Sequence, residues 1–212
     1  MNDLMNKDYY NNYSRIQDLK NNYITVFLVV VNIAVFIIYT ILGDVLYNIT
    51  SLSAVDITDS HEYYRFFTCM FMHGSLEHLL SNMLFLAVLG DMLERAVGHG
   101  RFIVIYMVSG LLGGCASVLY ALISGNMYSS VGASGAISGL IGALLVLVIK
   151  NNGRYGQVSL RRMILGIVYL IYSGLQSNIT DNAAHIGGMA AGFFVMILLY
   201  VFNRKVKVVV HR

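Results

Sequence analysis

The sequence predicts an all-α membrane protein, a bundle of six transmembrane helices with both termini in the cytoplasm. Three observations lead there. Of the 212 residues, 57% are hydrophobic and only 12% are charged, about half the charge of an ordinary soluble domain. Uncharged runs recur at lengths that suit a bilayer. The basic residues fall almost wholly on alternate connections between those runs, the asymmetry that sets membrane orientation.

In chain order, residues 1–22 are polar with mixed charge. They lack the apolar core and small-residue cleavage site of a secretory signal and read as a cytoplasmic segment. The membrane domain covers 23–203, and a basic cytoplasmic tail covers 204–212. The first span, 23–42, is twenty residues without a charge. A polar stretch with Asp44, Asp56, Asp59 and Glu62 then leads to Tyr64-Arg65. The apolar run 66–72 is too short to cross, so it is expected to dip into the membrane where protein or water satisfies its backbone. Ser75 reads as the N-cap of the second span, 76 to about 93. The third covers 102–123, the fourth 134–149, the fifth 163–175 and the sixth 183–202. The fifth is short, and Arg161 and Arg162 are expected to snorkel at its start. Proline is absent, so any broken helix here is broken by glycine. Cys69 and Cys115 both lie in apolar surroundings and read as buried free thiols, not as a disulfide.

Six spans place the basic residues on two sides. One side holds Lys7, Arg15, Lys20, Arg95, Arg101, Lys150, Arg154, Arg161, Arg162, Arg204, Lys205, Lys207 and Arg212, thirteen of the fourteen Lys and Arg. The other holds Arg65. The second, fourth and sixth spans therefore begin at the outer face, and their first turns carry the polar side chains. His78 and Asn82 stand at i, i+4 on the second span, Ser134 opens the fourth, and His185 lies in the first turn of the sixth. Sixteen residues give the fourth span roughly 24 Å, against about 30 Å of hydrocarbon. Its serine is expected to be recessed below the outer surface.

Ionisable and polar groups inside a membrane are costly and point to function. Ser134 lies in Gly132-Ala133-Ser134-Gly135 at a helix N-terminus, where free N–H groups and the dipole favour negative charge. A nucleophile whose attack creates an oxyanion needs that setting. The plain alternative is a small packing residue, and for His185 a histidine that merely bonds a neighbour. The glycines decide between them. Gly135, Gly139 and Gly142 line one helix, and Gly187, Gly188 and Gly192 line the other, so the two can approach closely. Ser134 and His185 then read as nucleophile and general base. His78 and Asn82 read as oxyanion donors beside the Ser134 amide, or else as a structural His–Asn pair. Asp181, four residues before His185, falls in a connection and is left outside the catalytic set. Three residues separate His73 from Glu77 where the inverted zinc motif has two, and no HExxH occurs. No metal or cofactor is expected, and a net charge of +3 calls for no nucleic acid.

With these residues in hand, the chain resembles the rhomboid intramembrane serine proteases over about residues 62–192. The resemblance rests on Gly132-Ala133-Ser134-Gly135, on the spacing of His73, His78 and Asn82, on Ala184-His185-Ile186-Gly187-Gly188, and on Glu94-Arg95-Ala96-Val97-Gly98. It implies a Ser134–His185 dyad, oxyanion donors His78, Asn82 and the Ser134 amide, and Tyr64-Arg65 in a membrane-embedded first loop. It also implies single-span membrane proteins as substrates, cut within or near their transmembrane segment, and a home in a bacterial plasma membrane. Two positions depart from the family pattern: Ser138 where an aromatic residue often packs on the histidine, and Tyr64 where tryptophan is usual. The rival readings are a catalytically silent rhomboid-like chaperone or binding protein, and a small transporter, which predicts inverted repeats that the sequence lacks.

Overall fold

Each charge-free run of the sequence forms a helix, because in lipid the backbone must satisfy its own hydrogen bonds. The computed structural model describes residues 22–176 and 180–202. Apart from Asn22, the expected cytoplasmic segment and the basic tail lie outside the described residues.

Helix α1 (Tyr23–Leu42) is followed by the short helices α2 (Asp44–Thr50), α3 (Ala54–Thr58) and α4 (Arg65–Thr68), then by a 3-10 turn at Cys69–Phe71. Helix α5 (Leu76–Phe85) opens with the Ser75 hydroxyl accepting from the His78 amide at 3.1 Å, the cap the sequence predicts. It continues through a π-turn (Leu86–Gly90) into α6 (Asp91–Val97). Helices α7 (His99–Ser124) and α8 (Ser134–Lys150) come next. A two-residue hairpin, β1 (Arg154–Tyr155) with β2 (Val158–Ser159), then leads to α9 (Leu160–Leu175) and α10 (Asn182–Phe202).

Among the described residues, four stretches are long and apolar enough to cross a membrane: α1, the continuous Leu76–Val97, α7 and α10. Helix α8 is apolar but shorter, and α9 has sixteen residues. The second helical stretch runs past its expected end near 93 because Glu94 is no loop residue. Its carboxylate is fully buried and accepts from the amides of Ile24 (3.0 Å) and Thr25 (2.8 Å) and from the Thr25 hydroxyl. Two of the free N–H groups at the start of α1 are satisfied there. His99 Nδ1 pairs with the same carboxylate. Gly98, at φ +83°, makes the reversal into α7 with a backbone that other residues rarely adopt.

The first loop is held by Arg65, whose side chain is 6% exposed and whose guanidinium donates to the carbonyls of Asn48 (2.6 Å) and Ser51 (2.8 Å). It also pairs with Glu62 and Asp56. The 66–72 run is buried at Cys69–Phe71, as its composition requires. Of the two thiols, Cys69 is buried but Cys115 is exposed, against expectation. Cys115 lies on the outer side of α7, where hydropathy alone does not distinguish a lipid-facing from a buried position.

The core is a trio. Helices α7, α8 and α10 meet through backbone rather than through large side chains. A Cβ at Gly188 would drive into the Gly135 carbonyl, one at Gly192 into the Gly139 carbonyl, and one at Gly142 into the Met189 carbonyl. On the α7 side, Gly139 faces the Ser109 side chain and Gly113 lies 2.8 Å from the Ala184 carbonyl by the same measure. The two glycine faces anticipated from the sequence therefore do meet.

Candidate active site

The segment that delivers Ser134 is shaped from both sides. Its amide at Gly132 donates to the Cys69 carbonyl at 2.8 Å, and Leu52 pairs with Ser130 through two backbone hydrogen bonds. Gly132 has φ +121°, and a side chain there would be blocked: a Cβ would lie 2.8 Å from His78 Nε2 and 3.3 Å from Asn82 Nδ2. Only glycine allows this close approach. The turn before the serine thus lies directly against His78 and Asn82, both on α5.

Asn82 is held in place by a residue that sequence reading treats only as part of a spacing. Its buried amide nitrogen donates to His73 Nε2 at 3.0 Å. An acceptor ring nitrogen belongs to neutral imidazole, and burial, helped by nearby His78, pushes the His73 pKa down to about 4. The rings of His73 and His78 stand edge to face at 5.0 Å. One amide hydrogen of Asn82 remains after the bond to His73. The resemblance includes the spacing of His73, His78 and Asn82, but the bond between the first and the last is visible only in three dimensions.

His185 is the fourth residue of α10, and its neighbour Ala184 abuts the serine helix. A Cβ at Gly135 would lie 3.6 Å from the Ala184 carbonyl oxygen and 3.9 Å from its Cβ. The first turns of α8 and α10 are therefore adjacent, which puts Ser134 and His185 on neighbouring turns. Among the described residues no hydrogen bond joins the two side chains, and His185 Nδ1 is buried without a partner. The Asp181 carboxylate does not reach that nitrogen: it accepts from the Ala184 amide, Ser117 and Tyr128. A cavity of about 20 Å³ lies beside Ser134, lined in part by Met70, Gly132, Gly135 and Ala184. That is room for one small molecule the size of water, far too little for a peptide.

Against known proteins, the profile of the Rhomboid domain matches residues 60–202, a range that contains every residue of this site. The chain is a rhomboid. Its mostly helical, lipid-compatible fold is that of a membrane protein. This rhomboid is 36% identical over 138 residues to Rhomboid protease GluP of Bacillus subtilis, covering 65% of the chain and 26% of GluP. It is 36% identical over 163 residues to RHOMBOID-like protein 5 of Arabidopsis thaliana, covering 75% of the chain and 52% of that protein. With the putative rhomboid protease YdcA of B. subtilis it shares 33% over 138 residues, 65% of the chain and 67% of YdcA. The matched part of the rhomboid thus spans a quarter to a half of the first two relatives.

Proposed function

We propose that this rhomboid is an intramembrane serine endopeptidase that cuts single-span membrane proteins within or near their transmembrane segment. The observation that supports this most is the backbone contact of α8 with α10, which sets Ser134 at a helix N-terminus beside His185, while His78 and Asn82 press on Gly132. In this reading His185 Nε2 takes the proton as Ser134 Oγ adds to the scissile carbonyl. The oxyanion accepts from His78, from the free Asn82 amide hydrogen and from the Ser134 N–H. Collapse breaks the C–N bond, the amine leaves with the proton from His185, and water then releases the acyl group by the same steps. Among the described residues no carboxylate meets Nδ1, so the pair works as a dyad. The open hydrogen bond between its members suits a resting site, since catalytic hydrogen bonds often tighten only around substrate.

The same proposal takes α8 and α9 as spans, six in all, with both termini in the cytoplasm and the site near the outer face of a bacterial plasma membrane. The small cavity at Ser134 requires some wall to move before a peptide enters. A helical substrate must also unwind there, because its carbonyls are engaged in helix hydrogen bonds. The test is cleavage of a panel of single-span substrates by the purified full chain in detergent. Wild type should cut and Ser134→Ala should not, at equal folded yield. Wild-type-rate cutting by Ser134→Ala would remove the nucleophile assignment. A wild-type chain that binds these substrates without cutting would favour a silent, chaperone-like rhomboid.

A further inference from the structure

The geometry points to Asp181 as a positioning residue that keeps the two halves of the proposed dyad in register, an inference that rests on the Ser134–His185 reading. Asp181 is the residue immediately before α10. Its backbone carbonyl accepts the first helical hydrogen bond, from the His185 amide at 3.1 Å. Its Oδ1 accepts from the Ala184 amide at 2.9 Å, the geometry of an N-cap. His185 is thus one turn inside a helix whose start is set by this side chain.

A cap needs only one carboxylate oxygen and is usually left to solvent on its other side. Here the second oxygen accepts from the hydroxyl of Ser117, a residue of α7 that is 3% exposed. The Tyr128 hydroxyl donates to Oδ1 at 3.3 Å, and Ser117 Oγ lies 3.5 Å from the same phenol. Tyr128 belongs to the segment that runs from α7 to Ser134, two residues before the Leu52–Ser130 pair. A single carboxylate therefore joins three elements: α7, the chain entering Ser134 and the helix carrying His185. Charge-assisted bonds of this kind are roughly twice as strong as neutral ones, and the helix N-terminus favours the anion. None of the bonds goes to the His185 ring, so Asp181 acts through the backbone and not as the third member of a triad.

The full-length chain in detergent tests this with two readouts, cleavage kinetics and amide hydrogen exchange. Asp181→Ala should lower kcat about 10- to 100-fold, the scale of a misplaced catalytic group, with KM within about twofold. Exchange should quicken in both 126–134 and 182–188. Asp181→Asn should restore most of kcat, since asparagine caps as well as aspartate and its amide can donate to Ser117 Oγ. Tyr128→Phe should lower kcat about 3- to 10-fold, the range for one lost hydrogen bond, and add nothing in the Asp181→Ala background. If Asp181→Ala does not fold, Tyr128→Phe alone carries the test through the same exchange readout. An active wild type whose Asp181→Ala or Tyr128→Phe variant leaves kcat and both segments unchanged overturns the inference. Additive losses in the double variant overturn it too. An inactive wild type whose variants still loosen both segments together counts against the protease reading and leaves the three-way linkage standing.

Discussion

Helix α8 buries twelve of its seventeen residues, whereas α9, of nearly equal length, buries only Met163 and Gly174 of its sixteen. The first is locked to α10 by carbonyl-to-glycine contacts and to α7 through the Ser109 side chain against Gly139; the second exposes Leu165, Val168, Tyr169, Tyr172 and Leu175 along its length. Helix α1 is intermediate. It is anchored at its start through Glu94 and buries only Thr25, Leu28 and Asn32, all in its first half. The difference teaches where accuracy and freedom are placed. In lipid there is no hydrophobic drive to press helices together, so small residues and close packing decide which contacts are firm. Half of the twenty glycines lie in the three helices that carry Ser134, His185 and Ser117, the hydroxyl that binds Asp181. The outer helices are left held by few contacts, and they are the natural candidates for the wall that moves.

The largest effect should come from filling a glycine in the trio. Gly192→Val places a side chain into the Gly139 carbonyl, a backbone group that cannot rotate away. We expect at least the 1–3 kcal/mol or so of an overpacked core, read as a lower thermal midpoint in detergent, together with loss of substrate cleavage. An active, wild-type-stable Gly192→Val would mean the two helices are not in backbone contact. Next is Glu94→Gln, which turns one oxygen facing the α1 amides into a second donor. A loss of about 1.5–3 kcal/mol is expected, the range for hydrogen bonds to a charged group. Hydrogen exchange should rise in the first turn of α1 while α8 and α10 stay protected; loosening of all three would show that the tether is not local.

A pH effect follows from His73. Its pKa is pushed down to about 4 by burial and by His78, against about 6.5 in an unfolded chain. Between those values the unfolded chain binds the proton and the folded chain does not, so stability rises with pH. The contribution is complete above about pH 6.5 and is lost as the pH falls toward 4. Thermal midpoints measured across that window should drop on acidification, and His73→Gln should flatten the drop. The smallest effect belongs to the outer wall. A Cβ at Gly166 on α9 meets nothing within 4 Å, so Gly166→Ala should be neutral or stabilising by up to about 1 kcal/mol. A marked loss there would mean that α9 is packed more tightly than its burial implies.

Much of this contrast is legible before any coordinates. Charge-free runs locate the long helices to within a few residues, though not α2 and α3 in the polar stretch; Ser75 announces its cap, and the spacing of Gly135, Gly139, Gly188 and Gly192 foretells which faces meet. What escaped was decided by partners far along the chain. Glu94 reads as a loop residue until the amides of α1 are seen to consume its carboxylate. Cys115 lies in an apolar run, and composition does not say which side of α7 looks outward. The bond from Asn82 to His73, and the meeting of Asp181 with Ser117 and Tyr128, join positions that no periodicity connects. Sequence patterns report which faces are small or apolar; they are silent on which polar group answers which.

The central claim, that Ser134 is a nucleophile activated by His185, is tested most directly by reacting the folded chain with a fluorophosphonate and locating the adduct by peptide mass spectrometry. The account predicts a single adduct on Ser134 in the wild type and almost none in His185→Ala at the same folded yield. An adduct on another residue, or equal labelling of Ser134 with and without the imidazole, would contradict it.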